Sequence, residues 1–169
     1  DEYGPRKTAI WAYFAVSESV EGTTLYADGV KPPYMEWVWE IPIHPRTVSV
    51  GYVSTGDLMK ARRQQGQSVE EIFRAQLNRF SRFASLLESA GAISPVVTSF
   101  RCRVHGNVAG PNWLVVGESA SMVDPMTSNG VTAALRHADE ATCLIVENRD
   151  RQILPFLAAA MYSRRVEGM

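Results

Sequence analysis

The sequence is sparing with the residues that would fix its function at a glance. Its 169 residues include two cysteines, Cys102 and Cys143, and three histidines on separate segments, His44, His105 and His137. Two distant thiols do not make a disulfide framework, and they favour reduced cysteines in a cytoplasmic protein. The histidines share no ligand spacing, so we expect structural or surface positions for all three and no metal site.

An excess of one charge and long apolar runs are also lacking. Lys and Arg number 17 against 18 Asp and Glu, which argues against a nucleic-acid-binding surface. No apolar run approaches the ~20 residues that a membrane-spanning helix needs. Residues 1–5, Asp-Glu-Tyr-Gly-Pro, have neither the basic start nor the apolar core of a signal peptide, and no initiating methionine. We therefore expect a piece of a longer chain without a membrane span.

A glycine-rich phosphate-binding motif is absent as well. None of the twelve glycines falls into a Gly-x-Gly-x-x-Gly pattern, the phosphate-binding turn that opens a dinucleotide-binding βαβ unit. We therefore expect no such unit within these residues.

The first half of the chain alternates with a period of two, as half-buried strands do. Residues at odd positions from Met35 to Ile43, among them Trp37, Trp39 and Ile41, share one apolar face, and the even positions take the other. Short turns between such strands predict an antiparallel sheet. The predicted elements are strands at 8–16, 23–27, 35–43 and 47–54, a loop at 29–33 and a hairpin turn at 44–46.

Later segments change to helical spacing. Ser68 and Glu71 fit a capping box, and apolar residues recur every three or four positions to Leu87, before a stop at Gly91. Strands at 96–104 and 113–116 follow. Two more helices are predicted, one from Val131 and one over 152–165 with Pro155 in its first turn. The first of these is predicted to bury Ala134, Leu135, Ala138, Ala141 and Ile145, with Arg136, Asp139 and Glu140 outside.

These elements predict an α+β fold in two parts. Residues 1–110 form an antiparallel sheet with a packed helix. Residues 111–169 form a strand–turn–helix piece.

The stretch from 115 to 135, VVGESASMVDPMTSNGVTAAL, departs from ordinary strand and helix patterns. A short strand ends at Gly117, small and turn-forming residues follow, and a helix is headed by Gly130. A helix start presents unpaired N–H groups and a partial positive charge. Small residues let this backbone approach a planar ligand, and Glu118 can accept hydrogen bonds from a hydroxylated chain. These features suit a flavin, although an ordinary strand–loop–helix capped by Asn129-Gly130 has the same spacing.

Within this stretch, GESASMVDPMTSNG resembles the second flavin-binding motif, G-D-A-A-x-x-x-D-P-x-x-S-x-G, of the FAD-dependent monooxygenase and halogenase superfamily. The resemblance implies that Glu118 holds the ribityl chain of FAD and that the turn from Asp124 to Gly130 lies along its isoalloxazine ring. Glutamate stands where the family has aspartate, so this carboxylate extends about one methylene further. The implied cofactor-binding residues are Gly117, Glu118, Asp124, Pro125, Ser128, Asn129 and Gly130.

A second stretch narrows the resemblance. Residues 37–42, Trp-Val-Trp-Glu-Ile-Pro, are similar to the W-x-W-x-I-P pattern of flavin-dependent halogenases of the tryptophan-halogenase type, as is IWAYF at 10–14 to one of their strands. The resemblance implies that Trp37, Trp39 and Ile41 line the substrate side. Two tryptophans on one strand also suit a core or cavity wall. Isoprenoid-lipid flavin reductases and some hydroxylases carry similar aromatic strands.

The resemblance implies the C-terminal part of a FAD-dependent oxidoreductase, in which reduced flavin and oxygen oxidise a halide or an organic substrate. Residues 111–169 then supply the C-terminal strand–helix piece of a Rossmann-like FAD domain. The lysine with which halogenases direct hypohalous acid belongs to the missing part, and none of Lys7, Lys31 and Lys60 has a matching context. The catalytic residue therefore stays unassigned. A small organic substrate and a flavin reductase are the implied partners.

Other functions stay open at this point. An aromatic hydroxylase or an isoprenoid-type reductase would use similar motifs. A catalytically inert module would instead bind an apolar ligand or partner on its open sheet face. For the isolated chain we expect weak FAD binding, and self-association through the strand at 113–117 or through the tryptophan face.

Overall fold

The computed structural model describes residues 2–27 and 36–168. The predicted loop at 29–33, with Lys31, and the first residue of the predicted third strand, Met35, lie outside the described residues.

The chain forms two compact units. One runs from Pro5 to Phe100, and the other runs from Arg101 onward together with the residues up to Gly4. Each unit combines helices with antiparallel strand pairs, which confirms the α+β fold class. No helix in the described part of the chain is long and apolar enough to cross a membrane.

The Pro5–Phe100 unit is built on a sheet in the order β2-β3-β4-β1-β5. Antiparallel pairing joins β2 to β3, β3 to β4 and β4 to β1. The predicted strands are therefore confirmed, although β1 begins earlier than expected. Its first residues and the last residues of β5 belong to the other unit. The bounds are β1 Glu2–Ala15, β2 Thr24–Ala27, β3 Trp37–His44, β4 Thr47–Thr55 and β5 Val96–Val104.

The register of the sheet separates its two faces. Tyr52 on β4 stands between Ile10 on β1 and Val38 on β3, and this face carries the buried apolar cluster of the unit. The neighbouring position, Gly51, stands between Trp11 and Trp39 on the opposite face. The predicted alternation of β3 is thus confirmed. The helices pack on the face of Val38, not on the face of the tryptophans.

Three helices cover that face: α1 Gly56–Gln64, α2 Val69–Leu77 and α3 Ala84–Ser89. The capping box at the start of α2 is confirmed, since Glu71 N donates to Ser68 Oγ at 3.1 Å and Ser68 N donates to Glu71 Oε2 at 2.6 Å. The sequence did not predict α1, because α1 is mostly polar and Met59 is its buried residue.

The prediction of one continuous helix from Ser68 to Leu87 is wrong. The helix ends at Leu77, a 3₁₀ turn follows at Ser81–Phe83, and α3 then begins. Phe80 adopts an extended conformation with φ −118° and ψ 115°. This break turns the chain so that Phe83 and Leu87 both reach the core. Tertiary burial has overridden the helical spacing of the apolar residues.

A buried carboxylate lies within the helix-covered face. Glu40 on β3 is 2% exposed, and it accepts hydrogen bonds from Arg82 Nη2 at 2.7 Å and from the Tyr26 hydroxyl at 2.8 Å. Burying a charge is costly unless it is paired and hydrogen-bonded. These two partners offset that cost and tie β3 to β2 and to the turn before α3.

The opposite face of the sheet carries a tryptophan cluster, formed by Trp11, Trp37 and Trp39. The ring centroids of Trp11 and Trp39 lie 6.4 Å apart, and those of Trp37 and Trp39 lie 5.8 Å apart. Trp39 lies directly over Gly51, where a Cβ would come within 2.1 Å of its ring, and its indole Nε1 donates to Ser49 Oγ at 3.1 Å. Glycine at position 51 therefore makes room for the cluster.

The second unit consists of short strand pairs and two long helices. β6 pairs with β7, and the end of β5 pairs with β8 through Arg103 and Met122. Small and aromatic side chains form its core, among them Val108, Ala120 and Tyr162. The bounds are β6 Ala109–Gly110, β7 Trp113–Leu114, β8 Ser121–Met122, α4 Gly130–Glu147 and α5 Phe156–Gly168.

The predicted buried face of α4 is partly wrong. Leu135 and Ile145 are 67% and 59% exposed, and Ala138 is exposed too, whereas His137 and Ala141 are the buried residues of the helix. The side of α4 that faces the core is rotated relative to the prediction. The chain before the helix approaches it closely where Gly117 meets Ala134, and the small size of these residues permits this approach.

The start of α5 also differs from the prediction. The helix begins at Phe156, so Pro155 precedes the first turn, where its carbonyl accepts a hydrogen bond from Ala159 N at 3.1 Å. Proline suits this place because no N–H is needed there.

Removing the charged partner of Glu40 should destabilise the first unit. We expect Arg82→Ala to lower the free energy of unfolding by roughly 2 kcal/mol, because a buried carboxylate loses its charge-assisted hydrogen bonds. Urea unfolding followed by circular dichroism measures the loss. The control Arg63→Ala removes an exposed guanidinium and should change stability by less than about 0.5 kcal/mol. Equal stability of Arg82→Ala and the control would contradict the pairing.

The tryptophan cluster should depend on Gly51. In Gly51→Ala the new Cβ would overlap the Trp39 ring, so the indole must move away from Ser49. We expect a loss of roughly 1–3 kcal/mol, as for other overpacked sites, and a red shift of tryptophan emission. Gly106→Ala is the matched control, because no described atom lies within 4 Å of the added Cβ. Unchanged emission and stability in Gly51→Ala would show that Trp39 does not lie over this strand.

Candidate functional site

The candidate site begins where the chain leaves β7. Val115 N donates to the Val108 carbonyl at 2.8 Å, and the chain then enters a 3₁₀ turn at Gly117–Ser119. Gly117 has a φ of +64°, in the left-handed region that side chains other than glycine rarely adopt. The sharp change of direction at the end of the predicted strand is therefore set by this glycine.

Gly117 also lies against α4. A Cβ on Gly117 would come within 3.4 Å of the Ala134 Cβ, and the Gly117 N–H donates to His137 Nδ1 at 3.1 Å. The turn thus rests on the second and third turns of the helix. Both a positive φ and a close approach require glycine here.

Glu118 and the first residue of the helix lie beside each other. The Glu118 side chain is exposed, and its Oε1 lies 3.8 Å from the place where a Cβ on Gly130 would stand. Asn129, before the helix, makes no capping hydrogen bond with its side chain within the described chain. An exposed carboxylate and a helix start that no described side chain of Asn129 caps, with its partial positive charge, are therefore neighbours.

The residues between them form a compact turn. Asp124 Oδ1 accepts a hydrogen bond from Met126 N at 3.1 Å, which caps the 3₁₀ turn at Pro125–Thr127. Ser128 follows with a φ of 53° in the left-handed region. A residue other than glycine in this region carries backbone strain, which often marks functional segments. Asp124, Pro125 and Ser128 therefore form the turn that leads into the start of α4.

The other predicted site residues belong to a separate unit. Trp37, Trp39 and Ile41 share the tryptophan face of β3 in the Pro5–Phe100 unit. Trp37 is buried, and its indole Nε1 has no hydrogen-bond partner among the described residues. Trp39 and Ile41 are partly exposed.

Two residues that the sequence did not single out hold the turn in place. His137 was expected to be a structural or surface residue; it is fully buried and accepts the Gly117 N–H. Tyr162 on α5 donates its hydroxyl to the Val115 carbonyl at 2.9 Å. Positions 134, 137, 141 and 144 recur at helical spacing. A prediction that took them as the inward side of α4 would have indicated that His137 is buried.

Burial sets the protonation of these two side chains. It lowers the pKa of His137 from its ordinary 6.5, and the carboxylate of Glu140 opposes the shift. Burial and the same carboxylate raise the pKa of the Tyr162 hydroxyl. His137 is therefore held neutral and Tyr162 protonated, which are the states that their hydrogen bonds require.

Sequence comparison finds halogenases among the relatives of this chain, although no family model matches it. Over 104 residues, 60% of the chain and 20% of its relative, it is 33% identical to the tryptophan 2-halogenase of Chondromyces crocatus. It is 29% identical to the sulochrin halogenase of Aspergillus terreus over 96% of the chain and 31% of that protein. The chain thus spans between a fifth and a third of the length of these relatives.

Solved structures show the same fold. CmlS, a flavin-dependent halogenase, matches 99% of the chain with 30% of its own, at a TM-score of 0.74 and 23% identity. The peptidyl tryptophan dihydroxylase QhpG matches 98% of the chain with 37% of its own, at a TM-score of 0.60 and 17% identity.

Sequence and fold therefore agree with the two motifs. The similarity extends over 60% of the chain in the tryptophan 2-halogenase, 96% in the sulochrin halogenase and at least 98% in the two solved structures. The chain is similar in sequence to halogenases and shares the fold of a flavin-dependent one, which confirms the resemblance to the FAD-dependent monooxygenase and halogenase superfamily.

Proposed function

We propose that this chain is part of a FAD-dependent, halogenase-like oxidoreductase and that the turn from Gly117 to Gly130 binds the FAD. The observation that carries the proposal is the pairing of the exposed Glu118 carboxylate with the glycine-headed, uncapped start of α4. Several relatives are named flavin-dependent halogenases and one a tryptophan 2-halogenase, which supports the choice of cofactor.

The residues present fit a flavin. FAD offers a hydroxylated ribityl chain to a carboxylate such as Glu118, with charge-assisted hydrogen bonds. The flavin ring needs a stretch of backbone without a side chain, and Gly130 offers one. The nearest neighbour within 4 Å of an added Cβ on Gly130 would be the Glu118 oxygen. The helix start favours the negative charge that a reduced flavin acquires.

Each residue of the chain then has a simple task. Glu118 binds the ribityl chain, and the N–H groups at the start of α4 stabilise charge on the ring. Asp124 and Pro125 shape the turn, and Ser128 and Asn129 lead it into Gly130. When bound, reduced FAD together with oxygen supplies the oxidising equivalent for a halide or an organic substrate.

The substrate side is proposed to be the tryptophan face of β3. The tryptophans lie on the face opposite the helices, and Trp39 and Ile41 keep exposed surface there. The buried indole N–H of Trp37, which has no acceptor among the described residues, suits a polar substrate atom or a water. A small organic molecule is the class of substrate that such an aromatic surface would take.

The remaining parts of the proposed enzyme would lie in chain segments other than these 169 residues. We propose that residues 1–110 serve the substrate and that 111–169 complete a FAD domain whose phosphate-binding turn lies elsewhere. A flavin reductase would supply the reduced cofactor, and a cytoplasmic location suits such a partner. The catalytic residue is unassigned.

The exposed apolar residues of α4, such as Leu135 and Ile145, support self-association of the isolated chain.

Three alternatives are considered. The fold shared with a dihydroxylase suits hydroxylation. An isoprenoid-type reductase would use a similar aromatic strand. A catalytically inert module that binds an apolar ligand or partner would instead use the partly exposed tryptophan face, with the turn serving only as a helix cap. Flavin content separates the inert module from the enzymes.

Substitutions in the turn should reduce the flavin content of the intact protein. We expect Glu118→Ala to weaken FAD binding by roughly 1.5–3 kcal/mol through loss of a charged acceptor. Gly130→Val should weaken it by placing a side chain where the ring approaches. Flavin absorbance per protein, measured beside the melting temperature, reports both effects.

The conservative change Glu118→Asp is the matched control, and it should bind FAD as well as or better than the parent. Trp39→Phe should leave flavin content nearly unchanged while altering turnover. Full flavin occupancy in both Glu118→Ala and Gly130→Val would leave the turn as a capped helix start and favour the inert module.

The 169 residues alone should bind FAD weakly. They contain no Gly-x-Gly-x-x-Gly turn, which supplies many of the phosphate contacts in dinucleotide-binding folds. Fluorescence titration of the isolated chain with FAD should show no saturation below about 1 µM FAD. A dissociation constant of about 1 µM corresponds to a binding free energy of about −8 kcal/mol. Submicromolar binding would show that these residues form a complete FAD site.

A further inference from the structure

We propose that His137 is the positioning residue of the FAD site and that its neutral ring holds the Gly117–Glu118 turn against α4. The inference rests on the proposed function, because it concerns how Glu118 is presented to the ribityl chain. It adds a buried residue of α4 that lies outside the motif.

The contact is buried and specific. Gly117 is buried, so its N–H cannot turn to water, and His137 Nδ1 accepts it at 3.1 Å. A buried N–H without an acceptor is costly and rare. The Gly117 conformation and the His137 ring therefore depend on each other.

The direction of the hydrogen bond fixes the tautomer. Since Nδ1 accepts, the proton of the neutral ring must sit on Nε2. Nε2 has no partner among the described residues, so Gly117 is the group that orients the ring. A charged ring would carry a proton on Nδ1, where it would oppose the Gly117 N–H.

Tyr162 anchors the same segment from α5. Its hydroxyl lies 2.9 Å from the Val115 carbonyl and 3.4 Å from the carbonyl of His137. The Val115–Gly117 segment is therefore tied to both helices, by its carbonyl to α5 and by its N–H to α4. Glu118 follows this segment directly, so a shift of Gly117 moves the carboxylate relative to Gly130.

Burial favours the neutral ring of His137 within the folded protein, and the charge of Glu140 opposes it. Glu140 lies on the same helix, the Tyr162 hydroxyl on α5 is 3.4 Å from the carbonyl of His137, and the exposed Glu118 directly follows its partner Gly117. Burial lowers the pKa of His137 more than Glu140 raises it. The folded state thus resists protonation that the unfolded chain accepts.

The sign of the pH effect follows from this lowered pKa. Above 6.5, the ordinary pKa of histidine, the ring is neutral in both states and the contact is fully present. As the pH falls below that value, the unfolded chain takes up the proton first and stability is lost. At still lower pH the folded ring is protonated as well, and the hydrogen bond to Gly117 breaks.

The test compares three variants of the full-length protein. His137→Asn places Oδ1 where Nδ1 stands, so it keeps an acceptor that does not titrate. His137→Leu fills the space without an acceptor. Glu118→Ala is the reference for the cofactor site itself.

Two readouts are needed. One is the FAD dissociation constant of the apoprotein from pH 8 down to the lowest pH at which the fold persists. The other is the ¹⁵N spectrum of histidine-labelled protein, which distinguishes a protonated from an unprotonated Nδ1 without any cofactor.

We expect His137→Leu to weaken FAD binding at pH 8 by roughly tenfold or more, as for a buried donor left unpaired. His137→Asn should bind nearly as tightly as the parent and should lose the decline in affinity that the parent shows at the lower pH where its folded ring takes up a proton. The spectrum should show His137 with its proton on Nε2, and the Gly117 amide should titrate together with the ring.

The opposite results overturn the inference. These are a proton on Nδ1 at pH 8, wild-type FAD affinity in His137→Leu, or a His137→Asn variant that keeps the pH profile of the parent. If His137→Leu does not fold, His137→Asn and the spectrum decide. Full FAD affinity in both Glu118→Ala and His137→Leu, with the Nε2 tautomer observed, would overturn the role in cofactor binding and the proposed function together. A loss confined to Glu118→Ala would overturn only the role of His137.

Discussion

The close approach of Gly117 to α4 governs the geometry of the candidate site. It demands a residue without a Cβ, a left-handed backbone and small neighbours such as Ala134 on the helix. It also decides which side of α4 faces inward, and so brings His137 to the Gly117 N–H. The exposed carboxylate of Glu118 and the start of the helix at Gly130 come together as a consequence.

In the Pro5–Phe100 unit, the two faces of the sheet carry different kinds of side chains. Its helix-covered face contains the buried carboxylate of Glu40, held by Arg82 and Tyr26, together with aromatic core residues such as Phe73. The tryptophan cluster lies on the other face, where Trp39 covers Gly51. The helices cover the first face, and the second is the one proposed to meet the substrate.

Local signals in the sequence predicted much of this architecture. The alternation of β3 and the Ser68 capping box depend on neighbouring residues, so both could be recognised without tertiary information. The break after Leu77 and the inward side of α4 depend on distant contacts, which spacing alone does not carry. His137 was expected to be only a structural or surface residue, because the predicted inward side of α4 was misplaced and its partner is a backbone N–H whose position depends on the fold.

Glu118 and the start of α4 are proposed to hold FAD together. A crystal structure of the intact protein with FAD would decide this. We expect a Glu118 oxygen within hydrogen-bonding distance of a ribityl hydroxyl and the flavin ring against the backbone at Gly130. A flavin bound elsewhere, with Glu118 facing only water, would contradict it.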